Sequence, residues 1–582
     1  METSVRRKVI LLVAAVLLGA CSRAQSTPTE SAPAQPDLPT STPPPTATPW
    51  VTSTPLPEDD QGHPGLPLPA DEGRWFTASG GCVTCHNNLE NDTGGTVSLG
   101  EEWRSTMLAN SATDPYWQAS VRREVSAYPD LAETIESLCA KCHMPMASVN
   151  LRVDNETVRI LGEGGLLDPE NENHHFAMDG VSCALCHQLR PPGESEGPTY
   201  SGDYTLDTFL QRPERPIYGP FTIDQLQTTI MTSASGFVPV QGLHISNAEF
   251  CATCHVLYTP VVSGNSIGED EFPEQMTYLE FYYSDYRNST TCQACHMPDA
   301  GAGVRLSTTS DVLRSPFSRH TFVGSNVYVL RLLQAFPDEL AVTATERLFQ
   351  NAIDNNTDYM AEETATIEFE DAYLLGRQLT ADVLLTNLAG HKFPTGFPSR
   401  RAWLHFVVQD ANGEVVFESG GFNPDGSITG NANDEDPTLY EPHYRAIVQE
   451  DQVQIYEAII GTAEFQVTTD LLKAARYIKD NRLLPDGFEK AAPYDDIAVR
   501  GEAREDENFL GGVDRIQYIV TLPEGSAPYT VTIELLYQSI SYRWAQDMRQ
   551  YTGSEIERFL RFYEAVPNTP VVVASATIEV NP

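Results

Sequence analysis

Positive charge is scarce in this chain of 582 residues: 37 Lys and Arg stand against 80 Asp and Glu, a formal net charge of −43. So acidic a polypeptide has no electrostatic footprint for nucleic acid, and DNA or RNA binding is excluded. Long apolar runs are missing as well. Beyond a short run at Val9 to Leu18, no stretch is apolar enough to cross a bilayer, and that run falls well short of the roughly 20 residues a transmembrane helix needs. Spare cysteine is also absent. Of the 11 cysteines, ten fall in pairs and the last has its own use, so none remains for a disulfide. Hydrophobic residues at 41% and aromatics at 9% are ordinary, which lets the body of the chain bury a normal core.

The cysteines that are present carry most of the information. They form the strings CVTCH at 82–86, CAKCH at 139–143, CALCH at 183–187, CATCH at 251–255 and CQACH at 292–296. From the chain's own Cys and His frequencies about 0.005 such pentapeptides are expected by chance, and C-x-x-C-H is the attachment signature of c-type haem. Five c-type haems are therefore expected, bound through Cys82 and Cys85, Cys139 and Cys142, Cys183 and Cys186, Cys251 and Cys254, and Cys292 and Cys295. The histidine closing each motif, His86, His143, His187, His255 or His296, is expected as the proximal iron ligand.

The unpaired cysteine sits in a different context. Arg6, Arg7 and Lys8 precede the apolar run, and Leu18-Gly19-Ala20-Cys21 closes it with small residues. Residues 1–20 thus resemble a bacterial lipoprotein signal with Cys21 as the lipidated residue. The expected location is exported and lipid-anchored, facing the periplasm or the cell exterior. Residues 21–70 repeat Thr-Pro, Pro-Pro and Ser-Thr-Pro with few large apolar side chains, and read as an extended tether.

Residues 71–330 hold the five motifs, separated by loop-rich sequence with short helical patterns such as EEWRSTMLANSA and DLAETIESLCAKC. A weak internal echo runs through them: CHMPM recurs as CHMPD, and an acidic-aromatic-Ser element precedes each, Glu102-Trp103 with Ser105 and Glu280-Phe281 with Ser284. Residues 331–360 read as a helical connector. From 361 to 582 the period changes to two, over 365–373, 380–387, 402–409, 414–418, 515–522, 528–537 and 570–580, with a hairpin turn at Asp410-Ala411-Asn412-Gly413. Helical patterns interrupt at 468–481 and 541–566. The expected fold class is α+β: a mostly helical and loop-built, haem-wrapped cytochrome domain, then an antiparallel β-sandwich-like domain with helical insertions.

The sixth position on each iron decides function, because a filled position makes an electron carrier and an open one can bind and transform a small molecule. Candidates outside the motifs are His174 or His175, with His175 preferred, His244 just before the fourth motif, His320 in HTFVGSN, and His391 in NLAGHKFPTG. His405 reads as a structural strand position and His443 as exposed. For the remaining iron three options stand: Met107, His63 or an open site. Met144 and Met146 lie too near their own proximal histidine to reach the opposite haem face and read as packing.

The strings CAKCHMPMA, HFAMDGVSCALCHQ, TYLEFYYSDYRNSTTCQACHMP and AGHKFPTGFPSRRAW, with KDNRLLPDGF at 479–488, resemble multihaem c-type cytochromes related to the tetrahaem cytochrome of ammonia oxidisers. The likeness covers about residues 75–580 and implies distal-ligand roles for His320 and His391. It also implies a distal ligand in the helical element before the second motif, where this chain offers methionine or leucine. Ammonia-forming nitrite reductases are kin, but their catalytic C-x-x-C-K motif is absent. The expected function is an exported, lipid-anchored pentahaem cytochrome passing electrons from a membrane-side donor to an extracytoplasmic acceptor. Two alternatives are a multihaem reductase acting on a small nitrogen or sulfur oxyanion at one open haem, and a subunit of a haem filament.

Overall fold

A computed structural model of the chain describes residues 63–192, 197–264, 266–492, 494–523 and 527–581. The signal segment, Cys21 and nearly all of the tether lie outside the described residues. The tether's expected last residues, 63–70, are not free of the body: Leu66 N donates to Val342 O, Arg104 Nη2 to Leu66 O, and His63 Nε2 faces Asp338 at 3.3 Å. The described residues belong to one compact unit.

The motif-bearing half is built of short helices and loops. The helix Pro115–Ala127 starts where it does because proline occupies its first turn and the Asp114 carboxylate accepts the Tyr116 and Trp117 amides. Its neighbouring residues Tyr116 and Trp117 enter different hydrophobic clusters. Trp117 joins Trp75, Phe76 and Leu185 among the motifs, with Met144 and Met146 fully buried beside it. Tyr116 joins a larger core that continues into the sheets, so the two halves share packed interior. The pattern at 101–112 yields helix only over Leu99–Arg104, followed by turns.

The second half is two sheets. Its strands are β1 (Ala365–Leu375), β2 (Gln378–Asn387), β3 (Arg401–Gln409), β4 (Val415–Ser419), β5 (Ala446–Ile447), β6 (Ile455–Gly461), β7 (Arg476–Asp480), β8 (Val513–Thr521), β9 (Tyr529–Gln538) and β10 (Val571–Val580). One sheet runs β5-β8-β2-β1 and the other β7-β6-β3-β9-β10, with β4 folding back on β3. Pairing is antiparallel except between β5 and β8. Alternate residues of β8, Asp514, Ile516, Tyr518 and Val520, point inward, and Tyr518 stacks on Phe406 of β3, ring centres 3.9 Å apart. The chain is thus mixed α+β, with a sandwich-like pair of sheets.

The helix expected at 468–481 does not form. Turns lead directly into β7, whose residues pair with β6 from Ala458 to Gly461, so sheet pairing overrides a modest helical pattern. The pattern at 541–566 forms two helices, Tyr542–Asp547 and Ser554–Ala565, parted at Gly553. Among the described residues no helix is long and apolar enough to cross a membrane.

Candidate functional site

Each Cys-x-x-Cys-His string lies on or at the end of a short helix: Ser79–His86, Ala132–His143, Cys183–Cys186, Glu249–His255 and Cys292–His296. On a helix, positions i, i+3 and i+4 share one face, so two thiols and an imidazole are presented together. None of the ten cysteines described is joined to another in a disulfide, and none is fully buried. Among the described residues no three His, Cys, Asp or Glu side chains gather into a metal cage.

Four of the five motif histidines are held in one tautomer. Nδ1 of His86 donates to Leu306 O, of His143 to Ser111 O, of His187 to Tyr218 O and of His296 to Val323 O, at 2.6 to 3.0 Å. A donated Nδ1 proton leaves Nε2 with its lone pair free. Burial lowers the pKa of these four rings, His143 to about 4. It also brings His255 down to about 4 and His320 to about 3. All are neutral imidazoles at neutral pH.

Two motif histidines face a second imidazole. His296 and His391 have ring centres 6.2 Å apart and planes 5° apart; His187 and His320 are 6.4 Å and 15° apart. With metal to imidazole-nitrogen bonds of about 2.0 Å and a ring centre about 1.1 Å beyond each nitrogen, one metal between two such rings separates their centres by about 6.2 Å. The donor set and spacing fit a haem iron held between each pair.

The loops carrying these partners are braced by the two halves of the internal echo. Glu102 accepts the His320 amide and the Arg319 guanidinium at 2.9 and 2.7 Å. Glu280 accepts the Thr395 hydroxyl at 2.6 Å and faces Arg482 at 2.9 Å, and Ser284 Oγ donates to Gly390 O. Asp480 links Arg482 to Lys392, next to His391. Gly396 turns the same loop with φ +81°, a left-handed conformation that favours glycine. The strings TYLEFYY, AGHKFPTG and KDNRLLPDGF therefore meet in one buried charge network behind His391, a convergence that local sequence does not show.

The other candidates are placed as follows. His175 is exposed, with Nδ1 3.0 Å from the Asp71 carboxylate, and its neighbour His174 donates Nδ1 to Leu166 O at 2.9 Å, so both present Nδ1 to an acceptor as four of the motif histidines do. The two differ in burial, His174 being half-buried and His175 exposed. His244 differs from the rest, with Nε2 rather than Nδ1 bonded to a carbonyl, that of Leu189. His391 Nδ1 lies 2.9 Å from Lys392 O. Met107 is half-buried against the larger core. His405 bridges Glu534 and Glu418 at 3.1 and 2.9 Å, a structural strand position. His443 is not exposed. It is buried, its Nδ1 accepting from Gln454 and Asn481 and its Nε2 facing Asp506 at 3.3 Å, because the acidic loop around it folds inward onto β6 and β8.

Sulfur atoms of different motifs also meet. Cys82 and Cys183, Cys142 and Cys254, and Cys292 and Cys251 are close enough to interact electrostatically, as are Cys186 with Cys251 and Cys254. Motifs one and three, three and four, two and four, and four and five are accordingly neighbours, in an order unlike that of the sequence.

No protein-family model and no curated protein matches the chain. Among solved structures, it is similar to a penta-heme cytochrome c552 from Thermochromatium tepidum, at 15% identity and a TM-score of 0.49, covering 86% of this chain and 97% of that one. A likeness at that level assigns neither cofactor nor reaction.

Proposed function

We propose that the chain is an exported, lipid-anchored c-type cytochrome that carries five haems and passes single electrons between redox partners. The observation that carries the reading is the opposed imidazole pair His296 and His391, repeated by His187 and His320 at nearly the same spacing. The ten paired cysteines would hold five haems through thioethers, with His86, His143, His187, His255 and His296 as proximal ligands. His320 and His391 would be distal ligands, joined by His174 in place of His175. His244 would ligate through Nδ1, since Nε2 is engaged. Haem iron supplies one-electron chemistry whose potential follows ligand and burial. The neighbouring motifs supply closely spaced stations, and the net charge of −43 favours a basic partner protein or a cationic metal species. The anchor through Cys21 rests on the signal-like sequence.

The test is intact mass and haem content of the matured protein, followed by low-temperature EPR. Five covalent haems with at least two low-spin, bis-imidazole irons are expected. A matured chain with no covalent haem sinks the reading. A second reading, one open-coordination haem acting as a reductase, rests on the count: four distal-histidine candidates outside the motifs stand against five motif histidines. It requires about one-fifth of the iron to be high-spin and to shift on adding nitrite or hydroxylamine.

A further inference from the structure

One proximal histidine has a neighbour the other four lack. The indole of Trp117 lies flat against the His143 imidazole, ring centres 4.4 Å apart and planes 6° apart. Among the described residues the only other aromatic side chains near motif histidines are the opposed imidazoles, beyond 6 Å, and Tyr359, tilted 50° to His296 at 6.1 Å. Both members of the stack are fixed. Trp117 is 9% exposed, and its backbone amide is held by Asp114 at the start of its helix. His143 donates Nδ1 to Ser111 O, and Ser111 Oγ donates back to His143 O. The ring plane at this motif is set by a hydrogen bond on one edge and an aromatic face on its flank.

We propose that Trp117 is a positioning residue that sets the reduction potential of the haem at Cys139, Cys142 and His143 below what that haem would otherwise have. The inference rests on the haem reading given above. An axial imidazole on ferric iron carries more positive charge than on ferrous iron. The negative face of an indole at contact distance, shielded from water, stabilises the more positive form. The oxidised state is favoured, and the stack also fixes the orientation of the ligand plane.

The experiment is an anaerobic redox titration, read optically and by EPR, of the full-length matured protein and of Trp117→Leu and Trp117→Phe, with haem content measured on each. Trp103→Phe serves as a packing control, since Trp103 is buried and bonded to Val181 O but stacks on no motif histidine. In Trp117→Leu one haem is expected to become easier to reduce by about tenfold in its equilibrium, about 59 mV for a one-electron couple, with a changed low-spin EPR signal. Trp117→Phe should fall between, and it carries the test alone if the leucine variant does not mature. The inference is overturned if five-haem Trp117→Phe and Trp117→Leu titrate as wild type, or if Trp103→Phe shifts the same haem equally. Loss of haem from Cys139 and Cys142 in the unmodified protein is a different result and counts against the haem reading itself.

Discussion

Lys392 and Asp480 form a 2.6 Å ion pair with both side chains fully buried, one residue beyond the imidazole of His391. Asp480 is shared with Arg482, which also faces Glu280, so the pair is one arm of a network that fixes the His391 loop. Burial alone would raise the Asp480 pKa, but Arg482 and Lys392 outweigh it and hold the carboxyl well below the usual range. Its folded pKa being depressed, its contribution to stability is present above the ordinary carboxylate pKa near 4 and is lost only as pH falls through the lowered value.

Lys392→Met leaves Asp480 and Glu280 sharing Arg482. The expected cost is about 3 kcal/mol, the scale for breaking a buried pair, measured by urea unfolding at neutral pH. The same variant should lower the low-spin fraction in EPR by one haem, since the loop presenting His391 loses its anchor. Unchanged unfolding would show that the network is dispensable.

His174 and His175 make opposite predictions for adjacent positions. His174→Ala should convert one haem from low-spin to high-spin, because the residue is oriented as the motif histidines are. His175→Ala should leave the EPR spectrum unchanged, because that side chain is exposed and paired with Asp71. The reverse outcome would restore His175 as the ligand.

The ring of His405 carries a pH dependence unconnected with iron. Burial would lower its pKa, but the hydrogen bonds it donates to the Glu534 and Glu418 carboxylates raise it overall. A raised folded pKa means the contribution is complete below the ordinary histidine value near 6.5 and fades as pH rises through the folded value. With Glu418 about half exposed, screening limits the effect to about 1 kcal/mol or less. Urea unfolding at pH 6 and pH 9 should show a stability difference that shrinks in His405→Gln.

Much of the fold was legible because it is written locally. Strand residues alternate in and out along β8 whatever they face, and the turn at Asp410 to Gly413 closes β3 on β4 through its own hydrogen bonds. The five Cys-x-x-Cys-His strings were legible for the same reason, since the two thiols and the imidazole lie within five consecutive residues. Residues 468–481 misled because their helical spacing competes with pairing to β6, a partner distant in sequence. His443 misled because its polar neighbours pack inward against it, and composition does not reveal direction.

The sequence by itself determined the number of Cys-x-x-Cys-His motifs, the excess of acidic residues and the alternation that makes two sheets. Those properties depend on residues a few positions apart. Only the tertiary structure decided which imidazole faces which motif, that His174 is half-buried while His175 is exposed, that Trp117 lies on His143, and which motifs are neighbours. Each of these joins side chains through packing between segments far apart in the chain, and helix or strand periodicity carries no record of which distant segment will supply the opposite face.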